Sequence, residues 1–158
     1  MKAVSVKVRV ARREDIDRIV EIERSWVHLS HWSIDAYRRL VNEDSFTSSF
    51  VAESEDPDGS LSIVGFVIFH LAENVSEIYN IAVDEGHARS GIGTFLLQAV
   101  IESVLVDGAR KLMLEVRKSN AGAIKFYRRF KFSIVGERTD YYSNPVEDAF
   151  VMERDLRL

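Results

Sequence analysis

Ile81-Ala82-Val83-Asp84-Glu85-Gly86-His87-Ala88-Arg89-Ser90-Gly91-Ile92-Gly93-Thr94 passes from an apolar strand end, through a polar loop, into a helix that opens on two glycines. A helix N-terminus offers unpaired N–H groups and a partial positive charge, so it suits a phosphate. Gly91 and Gly93 let a pyrophosphate approach the backbone closely. A glycine pair at a helix start is by itself more often structural than functional. Two common nucleotide patterns fail on this stretch. The dinucleotide fingerprint needs a third glycine where Leu96 stands, and the P-loop needs a lysine beside Gly93.

Working outward, Val4, Val6, Val8 and Val10 alternate with Ser5, Lys7 and Arg9, which predicts a half-buried strand. A helix follows over 13–26, with Ile16, Ile19, Val20 and Ile22 at helical spacing and Glu14 and Asp15 in its first turn. Ser33 can cap a second helix carrying Ile34, Tyr37, Leu40 and Val41. Residues 50–55 and 62–71 read as a hairpin turned by Asp56-Pro57-Asp58-Gly59. The acidic run over 53–58 reads as a solvated turn. A strand over 76–83 leads into the glycine loop. The long helix after it is expected to bury Ile92, Phe95, Leu96, Ala99, Val100, Ser103 and Val104, and Asp107-Gly108 stops it. Residues 111–116 form a short strand. Ser119-Asn120 can cap a helix holding Ala123, Ile124, Phe126, Tyr127 and Phe130. The last strands, 132–139 and 149–155, are joined by a loop around 141–148. The order β-α-α-β-β-β-α-β-α-β-β predicts a single α/β domain over 1–158, with a mixed sheet of about seven strands flanked by four helices.

The chain's 158 residues are 46% hydrophobic and 29% charged, a globular composition. No apolar run reaches the roughly 18 residues of a membrane span. The first residues alternate in polarity and lack the apolar block of a signal peptide, so a soluble, cytoplasmic protein is expected. There are no cysteines, which excludes disulfides, thiolate zinc sites and an acyl-cysteine intermediate. The net charge of −4 argues against a general nucleic-acid binder. His28 and His31 are three apart, but no third ligand accompanies them, so no metal is expected. His70 reads as an ordinary strand residue.

Several segments together carry a resemblance. Arg89-Ser90-Gly91-Ile92-Gly93 resembles the acetyl-CoA pyrophosphate loop of the GNAT superfamily. Leu114-Glu115-Val116-Arg117-Lys118-Ser119-Asn120-Ala121-Gly122-Ala123-Ile124-Lys125-Phe126-Tyr127 resembles the LEVR-x-SN-xx-AI-xx-Y signature of RimI-type N-terminal acetyltransferases. Tyr141-Tyr142-Ser143 with Glu147-Asp148-Ala149, and His31-Trp32-Ser33, are similar to segments of the same enzymes and of archaeal N-terminal acetyltransferases. These matches span most of the chain and keep their order. One position departs: Ala88 stands where the family usually has Gln or Arg, which implies a missing phosphate contact unless His87 or Arg89 replaces it.

The resemblance implies a GNAT fold whose central parallel strands splay to admit acetyl-CoA. It implies pyrophosphate contacts from Arg89, Ser90, Gly91, Ile92, Gly93 and Thr94, and backbone pairing of Ile81, Ala82 and Val83 with the pantetheine arm, with the Val83 N–H as oxyanion donor. Asn120 would touch the same arm while capping its helix. The chemistry asks for a base toward an amine of pKa about 8, and an acid toward the leaving sulfur. The resemblance gives these roles to Glu115 and Tyr127. Read from the residues alone, Glu115 is equally a strand-face carboxylate paired with Arg117 or Arg110, and Tyr127 is ordinary core packing. Trp32, Tyr141 and Tyr142 would line the acceptor entrance, or pack as aromatics.

Three functions compete at this level. The first is acetylation of protein N-termini by direct attack in a ternary complex, with a protein or peptide as partner. The second is acetylation of a small amine such as a polyamine, an aminoglycoside or an amino acid. The third is an acyl-CoA sensor without turnover. No membrane or nucleic-acid partner is implied, and monomer and homodimer are equally reasonable.

Overall fold

The structure, a computed structural model, describes residues 5–26, 29, 32–42 and 46–157. Val4, His28 and His31 lie outside the described residues. Among the described residues the chain forms β1 (Val6–Val10), α1 (Ile16–Ser25), α2 (Ile34–Asn42), β2 (Thr47–Glu55), β3 (Leu61–His70), β4 (Val75–Val83), α3 (Ile92–Val106), β5 (Lys111–Arg117), α4 (Ala121–Arg129), β6 (Ser133–Tyr142) and β7 (Glu147–Asp155). This is the expected order, and the seven strands make one sheet, β1-β2-β3-β4-β5-β7-β6. Among the described residues β4 and β5 are the one parallel pair, joined by the crossover through α3.

The caps sit where the sequence puts them. The Ser33 hydroxyl accepts from the Ala36 N–H (3.1 Å), and the Asn120 side chain accepts from the Ala123 N–H (3.2 Å). The hairpin turn closes through the Gly59 N–H, which donates to the Asp56 carbonyl. Two apolar layers sandwich the sheet. One gathers Val67, Phe69, Leu112, Leu114 and Met152 with α3 and α4. The other gathers Val51, Phe66, Ile68 and Ala82 with α1 and α2. Gly65 sits where β3 meets α3. A Cβ there would lie 3.1 Å from the Ala82 carbonyl oxygen, Ile92 and Leu96.

Four expectations need correction. Phe95 is 49% exposed, and α3 buries Ile92, Leu96, Leu97, Val100, Ile101 and Val104 instead. This helix is apolar nearly all round, so periodicity could not choose its inner face. Val10, at the end of an edge strand, is 65% exposed. The segment 141–148 is mostly strand: β6 runs through Tyr142 and β7 starts at Glu147, which shortens the connection to 143–146. Glu53 is not a solvated turn residue. It accepts from Arg9 Nε (2.6 Å), while the same guanidinium forks onto Asp15 (2.7 and 2.9 Å) and ties β1 and β2 to the start of α1.

Candidate active site

Strands β4 and β5 pair only from Val75–Lys111 to Ile78–Leu114. Beyond that point they separate, each still held on its outer side. Ile81, Ala82 and Val83 pair with Val67, Phe66 and Gly65, and Glu115, Val116 and Arg117 pair with Val151, Phe150 and Ala149. The register between β3 and β4 advances two residues on β4 for one on β3, leaving Tyr79 as a bulge at the point of separation. The Asp84 N–H donates to the Val64 carbonyl (2.8 Å). In an antiparallel ladder this makes Val83–Gly65 a non-hydrogen-bonded pair and Ala82–Phe66 a hydrogen-bonded one. Ile81 and Val83 therefore turn their backbone groups into the gap, whereas the Ala82 backbone bonds β3. The Val83 carbonyl on that side already accepts from the Trp26 indole N–H (2.7 Å), which leaves the Val83 N–H to face a ligand in the gap.

A recess of about 100 Å³ fills this fork, lined by Asn80, Ile81, Glu115, Asn120, Tyr127 and Tyr142 among others. A second cavity of about 300 Å³ is lined by Trp32, Leu40, Glu77, Tyr79, Glu115, Tyr141 and Tyr142. Tyr79, Glu115 and Tyr142 border both, so Glu115 stands at their junction. Its carboxylate accepts from Arg138 Nε (3.1 Å), not from Arg117 or Arg110. Its side chain is only 9% exposed. Arg117 is buried and holds the 143–147 turn instead. It donates to the Pro145 and Ser143 carbonyls (3.0 and 3.1 Å) and lies 4.3 Å from the Tyr142 ring centroid. Burial pushes the Tyr142 hydroxyl well above its ordinary pKa.

Tyr127 is buried between Phe126 and Phe132, with ring centroids at 5.3 and 5.7 Å. Burial raises its pKa above the ordinary tyrosine value, so its hydroxyl stays protonated. Asn120 uses its carbonyl oxygen as the cap of α4, which leaves its amide NH2 for the recess.

The glycine loop crosses the open end of β4. Gly91 is the N-cap of α3 with φ +87°, and a Cβ there would meet nothing within 4 Å. At Gly93 a Cβ would make only ordinary contacts, the nearest to Phe126 at 3.5 Å. Packing in the free protein therefore does not demand glycine at 93, and a side chain at either position would fill a cradle over the Ile92, Gly93 and Thr94 N–H groups. Those three have no partner within the helix by construction. This fits a pyrophosphate. Ile92 contributes only backbone, because its side chain lies in the core. Arg89 is exposed in a left-handed conformation (φ +59°), and the Ser90 hydroxyl donates to the His87 carbonyl. His87 Nδ1 hydrogen-bonds Asp84 (2.9 Å), which also pairs with Arg18, so that nitrogen is committed to the loop.

Trp32 is half-buried. Its ring packs on Tyr37 and Tyr79 (5.4 and 6.0 Å), and its backbone N–H donates to buried Glu23 (3.2 Å). The Tyr37 hydroxyl also bonds Glu23 and accepts from Asn80 (3.0 Å), so the Trp32 wall is tied to β4. Tyr141 meets Tyr142 edge-on at 5.0 Å. Core packing and cavity lining, alternatives in the sequence, hold together for these aromatics. Sequence reasoning missed Glu77, Tyr79, Arg138 and Trp26. The only signal for Glu77 was a carboxylate on the strand that feeds the glycine loop.

Comparison with known proteins agrees with this geometry. Residues 13–132 match the acetyltransferase (GNAT) family. A Bacillus subtilis protein, provisionally named a ribosomal protein bS18-alanine N-acetyltransferase, is 33% identical over 145 residues, covering 92% of each chain. An N-alpha-acetyltransferase of Sulfurisphaera tokodaii is 31% identical over 168 aligned positions, covering 98% of this chain and 96% of that one. The crystal structure of the ribosomal-protein-S18-alanine N-acetyltransferase from Escherichia coli superposes with a TM-score of 0.82 at 26% identity, covering 96% and 94% of the two chains.

Proposed function

The chain belongs to the GNAT family of acetyltransferases, and from that premise we propose that it moves an acetyl group from acetyl-CoA to the α-amino group of protein N-termini. One observation carries the reading: Glu115 joins the forked recess, which suits a thioester arm, to the aromatic cavity, which suits a short peptide end. The names of the Bacillus subtilis and Sulfurisphaera tokodaii relatives point to the same acceptor.

The α3 N-terminus and Gly91 and Gly93 hold the pyrophosphate, and Ile81 and the Asn120 amide hold the pantetheine arm. The Val83 N–H donates to the thioester oxygen as charge develops there. Glu115 takes a proton from the acceptor ammonium, directly or through water, and the amine attacks the carbonyl. The sulfur leaves with a proton supplied by the Tyr127 hydroxyl. Trp32, Tyr141 and Tyr142 enclose the first residues of the acceptor. The setting is cytoplasmic, no metal takes part, and monomer and homodimer stand on the same footing.

The test is CoA release with acetyl-CoA and short peptides beginning with Ser, Ala, Thr or Met, beside spermidine and free amino acids. Turnover on peptides that disappears when the α-amine is blocked supports the reading. Turnover on small amines alone would move the assignment to a small-molecule acetyltransferase.

A further inference from the structure

The layer behind the acceptor cavity holds a carboxylate that the mechanism above leaves unused. Glu23 lies on the buried face of α1 with Ile16, Ile19, Val20 and Ile22, and it is 0% exposed. A carboxylate is costly to bury unless hydrogen bonds replace its lost hydration. Such bonds converge on Glu23 from the chain ahead of α2, from α2 itself and, through α2, from β4. The Trp32 backbone N–H donates to Glu23 Oε1 (3.2 Å). The buried Tyr37 hydroxyl bonds the same carboxylate. Behind it, the Asn80 amide NH2 donates to the Tyr37 oxygen (3.0 Å). An amide NH2 can only donate, so the hydroxyl proton is left to point at Glu23. Every bond in the chain therefore runs toward the carboxylate, an order in which neighbouring bonds strengthen one another.

Both ends of this chain lie at the site. Trp32 and Leu40 form one side of the 300 Å³ cavity, and Leu40 stands one turn beyond Tyr37 on α2. Asn80 is the first β4 residue past the Tyr79 bulge, and it lines the 100 Å³ recess. Trp32 meets Tyr79 edge-on at 6.0 Å, so the space left for an acceptor depends on where the Trp32 wall sits against β4. Apolar packing alone does not fix that place. Tyr37 packs edge-on against Phe66 (6.1 Å) and Trp32 packs on Tyr37 (5.4 Å), but such contacts are not directional. The bonds through Glu23 and Tyr37 are.

We propose that Glu23 and Tyr37 are positioning residues for the acceptor, forming a latch that holds the Trp32–Leu40 wall against β4. The inference rests on the reading of the 300 Å³ cavity as the acceptor entrance, and it names what keeps that entrance in shape. A wall that is latched in every molecule binds the acceptor at its intrinsic affinity. A wall latched in only a fraction of molecules binds it more weakly by that same fraction. Once the acceptor is bound the wall is the same in both cases, so the latch sets KM for the acceptor and leaves kcat alone. Acetyl-CoA affinity is independent of it, because Asn80 keeps its place in the ladder opposite Ile68 without the latch.

Tyr37→Phe is the sharpest test, since it removes the hydroxyl and keeps the ring in its packing. On an acceptor peptide it should raise KM by ~10-fold, the upper end of what one hydrogen bond is worth. Both kcat and acetyl-CoA affinity should stay within twofold of wild type. Glu23→Ala should act alike, and the double variant should exceed the larger single effect by less than about twofold, because residues in one chain of bonds do not add. Glu23→Gln keeps an oxygen for the Trp32 N–H and should bind acceptor better than Glu23→Ala. An unchanged KM in Tyr37→Phe overturns the positioning role. So does a kcat that falls at constant KM, which is the mark of a smaller folded fraction.

A second readout needs no acceptor. In the free protein the Trp32 backbone N–H should be protected from hydrogen exchange, and Tyr37→Phe should speed its exchange by ~10-fold beyond any change across the whole fold. Trp32 exchange that is fast in the wild type, or unmoved by Tyr37→Phe, overturns the latch. That measurement decides the latch even if the wild type acetylates none of the peptides, the outcome that would sink the α-amine reading instead.

Discussion

Glu115 is placed by one strong local constraint and one non-local partner. Glu115 sits on β5 just past the last rung shared with β4, and Arg138 from β6 bonds its carboxylate. Glu115→Gln keeps the shape and removes the proposed base, so turnover should fall by about 10²-fold with acetyl-CoA affinity retained. Steady-state kinetics beside calorimetric titration with acetyl-CoA would check it, and an unchanged kcat would remove Glu115 from the chemistry. Arg138 offers a separate test through charge. Burial first, and the neighbouring Glu115 second, push the Glu77 carboxyl up to about 7, while the Arg138 cation favours its ionised form, so Arg138→Met should raise it further. Carboxyl 13C NMR of glutamate-labelled protein, with Glu77→Gln to assign the resonance, would read that change. A midpoint that stays or falls would mean that Arg138 does not favour the ionised form of that carboxyl. The resemblance picked out Glu115 from its own strand, but its true partner could not be read there: Arg138 lies 23 residues away. The Glu77 contact needs β4 and β5 side by side, which no stretch of the sequence shows.

The glycine loop, its helix and the two capped helices were legible because caps and turns are local chemistry. Ser33 and Asn120 cap where they should, and Gly91 takes the left-handed conformation that opens α3. What was not legible depended on neighbours. The inner face of α3 is chosen by β3, where Gly65 lets Ile92 and Leu96 approach, and not by a stripe in the helix itself. The extent of β6 through Tyr142 depends on Arg117, which stacks on that ring and holds the turn beyond it. The loop makes a clean prediction at this scale. Gly91→Trp should abolish acetyl-CoA binding, because the side chain fills the cradle over the α3 N–H groups. The fold should survive, since a Cβ at Gly91 meets nothing within 4 Å. A left-handed conformation costs a non-glycine residue ~1–2 kcal/mol, which corresponds to a melting temperature lower by roughly 2–8 °C for a domain of this size. Retained affinity in a folded variant would mean that the phosphates lie elsewhere.

At the scale of the whole sheet, β4 and β5 part beyond Ile78 and Leu114, and an apolar layer backs each side of the gap. The layer with α1 and α2 holds the β4 side, partly through the Trp26 indole on the Val83 carbonyl. The layer with α3 and α4 reaches the β5 side through Ile124 and Tyr127. A ligand that fills the gap bridges the two halves of the sheet, and it does so only in the folded state. Acetyl-CoA at 100 times its Kd should therefore stabilise the protein by ~2.7 kcal/mol, raising the melting temperature by about 5–11 °C. The site of that gain can be located by hydrogen exchange. Ile81 and Val83 turn their N–H groups into the gap, while Ala82 already bonds β3. Ligand should slow exchange at Ile81 and Val83 beyond the global stabilisation and leave Ala82 tracking the rest of β4. Uniform protection across β4 would instead mean that the ligand stabilises the fold without adding to its sheet. Extra protection at Ala82 alone would reverse the register on which the Val83 N–H is aimed at the thioester oxygen.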